Sequence, residues 1–121
     1  MVKALFDTNI LIDHLNGIAA AHVEMDRYAD GAISIVSWIE VMVGASDLAS
    51  AQTRSFLNSF TVVGLDDAIA ERAVALRKTR RLRLPDAIIW ASAMEQARLL
   101  VTRNSRDFPV GDPGIREPYR L

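Results

Sequence analysis

Short apolar segments alternate with amphipathic helical patterns along the whole chain, and this alternation restricts the folds that it can adopt. Runs of apolar and β-branched residues predict buried strands over residues 2–6, 32–36, 60–63 and 99–102, with a candidate edge strand at 115–117. Helical patterns lie between these runs, over residues 8–16, 18–28, 37–43, 47–58, 66–79 and 86–98. Strands that are separated by helices connect through crossovers, which build a mostly parallel sheet with helices on both faces. We therefore predict one α/β domain over residues 1–121.

Composition narrows the class of protein further. Half of the 121 residues are hydrophobic and 24% are charged, so the chain can build one core without disulfides. It contains no cysteine, which excludes thiolate metal sites and a cysteine nucleophile. The longest apolar stretch, around Trp90, is interrupted by Asp86 and Glu95 and is shorter than the ~20 residues of a membrane span. We expect a soluble, cytoplasmic protein that does not contact a membrane.

Basic residues are concentrated in one short segment of the second half. The formal net charge is −1, so no global field indicates nucleic acid binding. Within the chain, however, five cations occupy seven positions, at Arg77, Lys78, Arg80, Arg81 and Arg83. They either complement the dipole at a helix C-terminus or form a track for RNA phosphates, and the sequence leaves both interpretations open.

Four acidic residues occupy equivalent positions relative to the predicted strands. Asp7 directly follows the first strand, and Asp107 lies in the loop after the fourth. Glu40 and Asp86 lie in the first turns of helices, the former in the helix that follows the second strand. In a parallel sheet these positions all face the edge formed by the carboxyl ends of the strands, where ligands bind in such folds.

Each of these acids also has a purely structural explanation. Asp7 can cap the first helix, and Ser37 with Glu40 forms a capping-box pattern. Asp86 suits the positive end of a helix dipole, and Asp107 is an ordinary turn residue. Together the four favour a functional cluster, because gathered carboxylates raise one another's pKa values unless a cation neutralises them.

The chemistry of the cluster indicates the kind of cation. Oxygen donors without Cys or adjacent His favour Mg²⁺ or Mn²⁺ over zinc. Mg²⁺ usually binds one or two carboxylates directly and keeps several waters, which further carboxylates orient. Such a cation polarises a phosphoryl oxygen and activates water. The sequence thus predicts metal-assisted hydrolysis of a phosphodiester.

Four ordered motifs give the chain a resemblance to a known family. FDTNILID at 6–13, SWIE at 37–40, LPDAIIWA at 84–91 and VTRNSRDF at 101–108 resemble the motifs of the PIN-domain family. Within that family the chain looks like the VapC-type toxin ribonucleases of bacterial toxin–antitoxin pairs. The resemblance covers nearly the whole chain.

The resemblance implies a fold, an activity and partners. It implies a five-stranded parallel sheet in the order 3-2-1-4-5 and cleavage of RNA with Mg²⁺, for which Mn²⁺ can substitute. It also implies a homodimer held inactive by a cognate VapB-type antitoxin, with DNA contacted only through that antitoxin.

The resemblance also assigns residues. Asp7 and Asp86 match the primary metal ligands, Glu40 matches the second acidic motif, and Asp107 matches the last acid of the fourth. Asn104 is neutral where some relatives carry an acid, which leaves the number of metals open. The supporting residues are Thr8, Asn9, Thr102 and Asn104, of which Thr8 and Asn9 either hold a water or the scissile phosphate or only start the first helix. Positive charge, and not the resemblance, makes these arginines candidate RNA contacts: Arg77, Arg80, Arg81 and Arg83 of the basic segment, and Arg103 and Arg106 beside the fourth motif.

Two other functions stay open from the sequence. An aspartyl-nucleophile phosphatase would use Asp7, but the second acid usual two residues later is Asn9 here, and Lys78 is the only late lysine. A PIN module that only binds RNA or protein is the other alternative, although collected negative charge does not favour phosphate binding. His14 and His22, the acid–base pair that a metal-free ribonuclease would need, lie outside the motifs.

Three further residues receive structural interpretations. Asp13 lies outside the matched catalytic positions and is interpreted as a solvated or structural acid. Trp38 and Trp90 are assigned to the core.

Overall fold

The computed structural model describes all 121 residues and contains five strands and six helices. The strands are β1 (Ala4–Phe6), β2 (Gly31–Ser34), β3 (Thr61–Val63), β4 (Leu99–Val101) and β5 (Ile115–Arg116). The helices are α1 (Thr8–Leu15), α2 (Ala19–Asp26), α3 (Ile35–Gly44), α4 (Ser50–Leu57), α5 (Asp67–Arg80) and α6 (Leu84–Glu95). None of the helices has the length and apolar character needed to cross a membrane.

All strands are parallel, and the sheet has the order β3-β2-β1-β4-β5. The predicted α/β fold and strand order are therefore confirmed. The central strand β1 pairs with β2 on one side and β4 on the other, with Ala4 opposite both Gly31 and Leu99. The strand order reverses beside β1, so the carboxyl end of this strand is the point at which parallel α/β sheets bind ligands.

The sheet separates two hydrophobic clusters. Successive side chains of a strand point to opposite faces, so Leu5 of β1 packs in one cluster and Phe6 in the other. The first cluster contains α5 and α6 residues, and the second contains residues of α1, α3 and α4. Helix α6 is central, because every residue from Asp86 to Ala93 is buried. Trp90 is buried as predicted, whereas Trp38 is only partly covered.

The second strand and the helix that follows it differ from the prediction. β2 ends at Ser34 rather than residue 36, and the Ser34 side chain caps α3 by accepting a hydrogen bond from the Val36 N–H (3.1 Å). The capping box predicted at Ser37 and Glu40 is therefore wrong, and Glu40 lies in the second turn of α3 rather than the first. Apolar Ile35 and Val36 resemble a strand, but they belong to the first turn of a helix packed on the sheet, where tertiary burial overrides β propensity.

Candidate active site

Asp7 lies at the carboxyl end of β1, where it caps α1. Its Oδ1 accepts a hydrogen bond from the Thr8 N–H (2.7 Å), as the capping interpretation predicted. Its Oδ2 accepts hydrogen bonds from the Thr102 hydroxyl (2.7 Å) and from Asn9 Nδ2 (3.3 Å). The Asp7 side chain is buried, and donors from two parts of the chain, α1 and the segment after β4, fix its orientation.

The surroundings of Asp7 disfavour its negative charge. Burial raises the pKa of this carboxyl from its ordinary value of 3.8 to about 6. The hydrogen bonds from Thr102 and Thr8 act in the opposite direction, whereas the charges of Asp86 and Glu40 raise the pKa further. Buried carboxylates usually have a cation as a partner, and Asp7 forms no salt bridge with the cationic side chains of this chain.

Asp86 is buried in the first turn of α6 and has an oxygen without a hydrogen bond. Pro85 beside it occupies the start of the helix, where a missing N–H has no cost. Asp86 Oδ2 is buried and accepts no hydrogen bond, and its nearest cation is Arg83 Nε at 3.6 Å. Burial raises the pKa of Asp86, and the charges of Asp107 and Glu40 add to this effect although Arg83 opposes it.

Glu40 and Asp107 are exposed and lie at the margins of the same edge. The Thr8 hydroxyl donates to Glu40 Oε1 (2.8 Å) and lies 2.8 Å from Ser37 Oγ, so the buried Ser37 anchors this contact. Asp107 Oδ2 accepts a hydrogen bond from Asn104 Nδ2 (3.0 Å), and the Asp107 N–H donates to Asn104 Oδ1 (3.2 Å). Both acids thus have a side-chain anchor within the motifs.

The four acids form one electrostatic group. Glu40 raises the pKa values of both Asp7 and Asp86, and Asp107 raises that of Asp86. No three His, Cys, Asp or Glu side chains close into a complete set of metal ligands. The donors nevertheless fit a hard divalent cation, because Mg²⁺ needs only one or two carboxylates and completes its shell with water. The unsatisfied Asp86 Oδ2 and the unneutralised Asp7 are the two groups that such a cation would satisfy.

The predicted supporting residues connect the acids to the segment after β4. Thr102 and Asn9 both donate to Asp7, and the Asn104 N–H donates to Thr102 Oγ1 (2.9 Å). Thr8 connects Asp7 to Glu40 through its N–H and its hydroxyl. All four supporting residues therefore contact a candidate acid or another supporting residue.

The basic segment spans the last turn of α5 and the connection to α6, close to Asp86 in sequence. Arg77 and Arg80 are in the last turn of α5, and Arg81 follows as its C-cap in a left-handed conformation (φ 54°). The guanidinium of Arg80 lies 5.0 Å from the Trp90 ring centroid, a cation–π contact. Arg83 is the member that reaches an acid of the site, Asp86.

Two arginines of the fourth motif differ in their surroundings. Arg106 is exposed, in keeping with a phosphate contact. Arg103 instead directs its guanidinium to Asp13, with Nε at 2.6 Å from Oδ2 and Nη2 at 3.0 Å from Oδ1. The sequence predicts either a solvated or a structural acid at Asp13, and the burial of this side chain shows that it is structural. Tyr119, which sequence reasoning missed, donates its hydroxyl to Asp13 Oδ2 (2.7 Å).

The two histidines meet away from the acids. Their ring centroids are 3.8 Å apart, and the ring of His14 stacks on Phe56. His14 lies in the last turn of α1, whereas Asp7 caps the first turn, and eight helical residues span about 12 Å. The pair therefore lies at the other end of the helix from the acidic edge.

Known proteins resemble this chain in sequence and structure. The sequence profile of the PIN domain family matches residues 4–110. A Mycobacterium tuberculosis protein named Ribonuclease VapC10 is 33% identical over 125 residues, which cover 97% of this chain and 93% of the relative. A toxin–antitoxin complex from Klebsiella pneumoniae contains a chain that is 45% identical, with a TM-score of 0.93, covering 98% of this chain and 100% of that chain.

A third similarity is more distant in sequence. In the crystal structure of VapBC-5 from Mycobacterium tuberculosis, a member of the VapBC family of toxin–antitoxin systems, a chain is 25% identical with a TM-score of 0.65. The aligned regions cover 96% of this chain and 97% of that chain.

Proposed function

Because the chain belongs to the PIN-domain family and is of the VapC type, we propose that it is a toxin ribonuclease that uses a divalent cation at its acidic edge. Residues 1–121 act as one PIN domain in the cytoplasm. The observation that supports the proposal most strongly is that the carboxyl groups of Asp7 and Asp86 are buried and have raised pKa values. Strongly perturbed acids that converge in one place are typical of catalytic sites.

The residues divide into two roles in this mechanism. Asp7 and Asp86 would hold Mg²⁺ or Mn²⁺, and Glu40 and Asp107, at the exposed margins, would orient water. A divalent cation held there would supply polarisation of a phosphoryl oxygen and a more acidic water, the chemistry that hydrolysis of an RNA phosphodiester at neutral pH requires. Thr102, Asn9 and the Thr8 N–H keep the Asp7 carboxylate in a fixed orientation.

The basic segment provides the substrate contact in this proposal. Arg77, Arg80, Arg81 and Arg83 lead from the end of α5 to the start of α6, which carries Asp86. Together with Arg106 they neutralise RNA phosphates near the acidic edge, which would otherwise repel them.

The similarity to chains of toxin–antitoxin complexes supports a protein partner. We propose that a VapB-type antitoxin binds the chain and that the toxin forms a homodimer, with DNA contacted through the antitoxin. Large apolar side chains on α1, α3 and the following loop are exposed and suit such interfaces: Ile12, Leu15, Ile39, Val43 and Leu48.

A cleavage assay on antitoxin-free protein tests the proposal. We expect cleavage of a labelled single-stranded RNA with Mg²⁺ or Mn²⁺, and none with EDTA. Asp7→Asn and Asp86→Asn should each reduce cleavage by more than about 100-fold, because even partners outside the ligand shell commonly contribute 10–100-fold. Asp67→Asn, at an exposed acid in the first turn of α5, is the matched control for Asp86→Asn and should cleave like the wild type.

Two results would contradict the proposal. Cleavage that persists in EDTA would exclude the cation, and Asp7→Asn and Asp86→Asn variants as active as Asp67→Asn would exclude the site. Release of phosphate from small monoesters through an acyl-phosphate on Asp7 would favour the phosphatase alternative instead.

A further inference from the structure

Asp13, Arg103 and Tyr119 form a buried cluster behind the acidic edge, which we call the Asp13 cluster. Asp13 is 4% exposed and accepts three hydrogen bonds, two from the Arg103 guanidinium (2.6 and 3.0 Å) and one from the Tyr119 hydroxyl (2.7 Å). The cluster joins α1, the segment after β4 and the C-terminal tail. It therefore joins three segments that follow β1, β4 and β5 and lie outside the sheet.

The cluster is continuous with the hydrogen bonds that hold Asp7. The backbone N–H of Arg103 donates to Asn9 Oδ1 (3.2 Å), and the Asn9 side-chain amide donates to Asp7 Oδ2 (3.3 Å). Thr102, the residue before Arg103, donates its hydroxyl to the same Asp7 oxygen (2.7 Å). Fixing the backbone at Arg103 thus fixes two of the donors to Asp7.

The segment that the cluster anchors has no regular secondary structure of its own. β4 ends at Val101, and residues 102–107 form turns and bends without helix or strand. This segment carries Thr102, Asn104 and Asp107, all of them candidate site residues. A planar guanidinium that binds a carboxylate with two parallel hydrogen bonds fixes position and direction together, which a lysine cannot do.

We propose that Asp13, Arg103 and Tyr119 are positioning residues for the site, so that the C-terminal tail helps to orient the Asp7 carboxylate. This inference rests on the proposed nuclease function. Tyr119 lies beyond residues 4–110, the part of the chain matched by the family profile. In this proposal the Arg103 guanidinium neutralises Asp13 and does not contact an RNA phosphate.

A second cluster of the same chemistry provides a control. Glu24, 3% exposed, accepts two hydrogen bonds from the Arg116 guanidinium (2.8 and 3.0 Å) and one from the Tyr28 hydroxyl (2.8 Å). The side chains of Glu24 and Tyr28 form no hydrogen bond with a candidate site residue. Arg116 contacts the site only through its backbone carbonyl, which accepts a hydrogen bond from the Thr102 N–H (3.0 Å) next to the β4–β5 pairing, so the sheet holds that contact and the Glu24 side chain does not. Tyr119→Phe and Tyr28→Phe therefore remove the same kind of bond, an O–H donated to a buried carboxylate, with and without a side-chain route to Asp7.

The experiment compares these variants in stability, Mn²⁺ binding and cleavage kinetics. Tyr119→Phe and Tyr28→Phe should lower the urea midpoint by similar amounts. Only Tyr119→Phe should weaken Mn²⁺ binding in calorimetry and lower kcat, and Arg103→Lys should lower kcat by roughly 10–100-fold, as removal of partners that orient metal ligands does. The KM for RNA should stay within about two-fold in Tyr119→Phe and Arg103→Lys, because neither change removes a phosphate contact.

A spectroscopic measurement separates this inference from the proposed function. The Asn9 side-chain amide resonances in NMR should shift in Tyr119→Phe and not in Tyr28→Phe, whether or not the protein cleaves RNA. If the wild type neither binds Mn²⁺ nor cleaves RNA, the nuclease proposal fails and the positioning of Asp7 is still judged by these resonances. Unchanged Asn9 resonances, or kcat and Mn²⁺ affinity in Tyr119→Phe equal to those of Tyr28→Phe, would overturn the inference.

Discussion

The four most buried carboxylates of this protein fall into two pairs with opposite surroundings. Asp13 and Glu24 each accept two hydrogen bonds from an arginine and one from a tyrosine. Asp7 and Asp86 have no such partner, although all four are only 3–6% exposed. Burial raises the pKa of Glu24, but the hydrogen bonds from Arg116 and Tyr28 outweigh it and leave the pKa lowered. In Asp7 and Asp86 burial prevails and the pKa is raised.

The contrast shows how burial alone fails to distinguish a structural acid from a functional one. An ionised carboxylate inside a protein is tolerated when a cation and hydrogen bonds compensate for the loss of water. Asp13 and Glu24 receive that compensation from the chain itself. Asp7 has hydrogen bonds but no cation, and Asp86 Oδ2 has Arg83 at 3.6 Å but no hydrogen bond. Both lie beside two further acids, so we infer that a ligand completes their compensation.

The largest expected effect on stability follows from breaking a paired acid. Arg116→Ala leaves the buried Glu24 only Arg27 as a cation, with Nε 3.6 Å away, and removing one partner of a buried ion pair costs up to about 3–5 kcal/mol of unfolding free energy. Asp86→Asn removes a charge that only the exposed Arg83 opposes, at 3.6 Å, and should be neutral or stabilising in the absence of metal because the pKa of Asp86 is raised despite that cation. Urea denaturation of both variants in EDTA measures the difference. Equal losses of stability in the two variants would mean that Asp86 is compensated within the protein in the same way as Glu24.

The pH dependence of stability should distinguish the pairs by its sign. The pKa of Asp7 is about 6 in the folded protein and 3.8 ordinarily, so folding costs nothing at this site below pH 3.8 and progressively more as pH rises through 6. The upper limit of this cost at pH 7.5 is about 3 kcal/mol, from 1.36 kcal/mol per pKa unit. Asp7→Asn should remove it, so metal-free Asp7→Asn should gain stability over the wild type between pH 4.5 and pH 7.5.

The contribution of Glu24 to stability should change with pH in the opposite direction to that of Asp7. Its pKa is lowered on folding, so its contribution to stability is present above the ordinary value of 4.5 and disappears as pH falls through the folded value. The unfolding free energy of Glu24→Gln should therefore be lower than that of the wild type at neutral pH, and the difference should become smaller as the pH is lowered. A Glu24→Gln variant whose deficit is the same at pH 3.5 and pH 7 would refute this assignment.

Metal addition should stabilise one pair and not the other. A ligand that binds only the folded state at 100 times its Kd adds about 2.7 kcal/mol to the unfolding free energy. We expect a gain of this order on saturating the wild type and Glu24→Gln with Mn²⁺, and none in Asp7→Asn. Thermal unfolding at several Mn²⁺ concentrations gives the result, and an equal rise of Tm in Asp7→Asn would place the ion elsewhere.

The smallest expected effect concerns the basic segment. Arg80→Ala with Arg81→Ala should weaken RNA binding and lower the slope of log affinity against log salt by about 1.4, at about 0.7 per phosphate contact on a single strand. Arg120→Ala, at an exposed arginine that forms a salt bridge with Glu117, is the control. Filter binding of RNA in EDTA measures the slopes. Identical slopes for the two variants would identify the segment as ordinary surface that complements the α5 dipole.

Much of the fold was predictable from local patterns. Apolar residues recur with the period of a strand or of a helix in successive segments. Because a helix lies between each pair of successive strands up to β4, these connections are crossovers, which predict a parallel sheet. The start of α3 was not predictable in this way. Ile35 and Val36 are typical of strands, and only their packing against the sheet, with Ser34 as the cap, makes them helical.

The candidate site divides along the same line. Asp7, Glu40, Asp86 and Asp107 were identified because each follows a strand or begins a helix. Tyr119 carried no local signal, because its partner Asp13 is 106 residues away in the chain.

The sequence by itself determined the alternation of strands and helices and the positions at which acids follow strands, because periodicity and position depend only on neighbouring residues. Tertiary structure decided which acids are neutralised within the protein. Arg103 reaches Asp13 and Arg116 reaches Glu24 across 90 and 92 positions, whereas the acids at the end of β1 and the start of α6 acquire one another as neighbours. Desolvation and ion pairing depend on which surfaces the folded chain brings together, and for that reason only the fold separates the structural carboxylates from those that we propose bind metal.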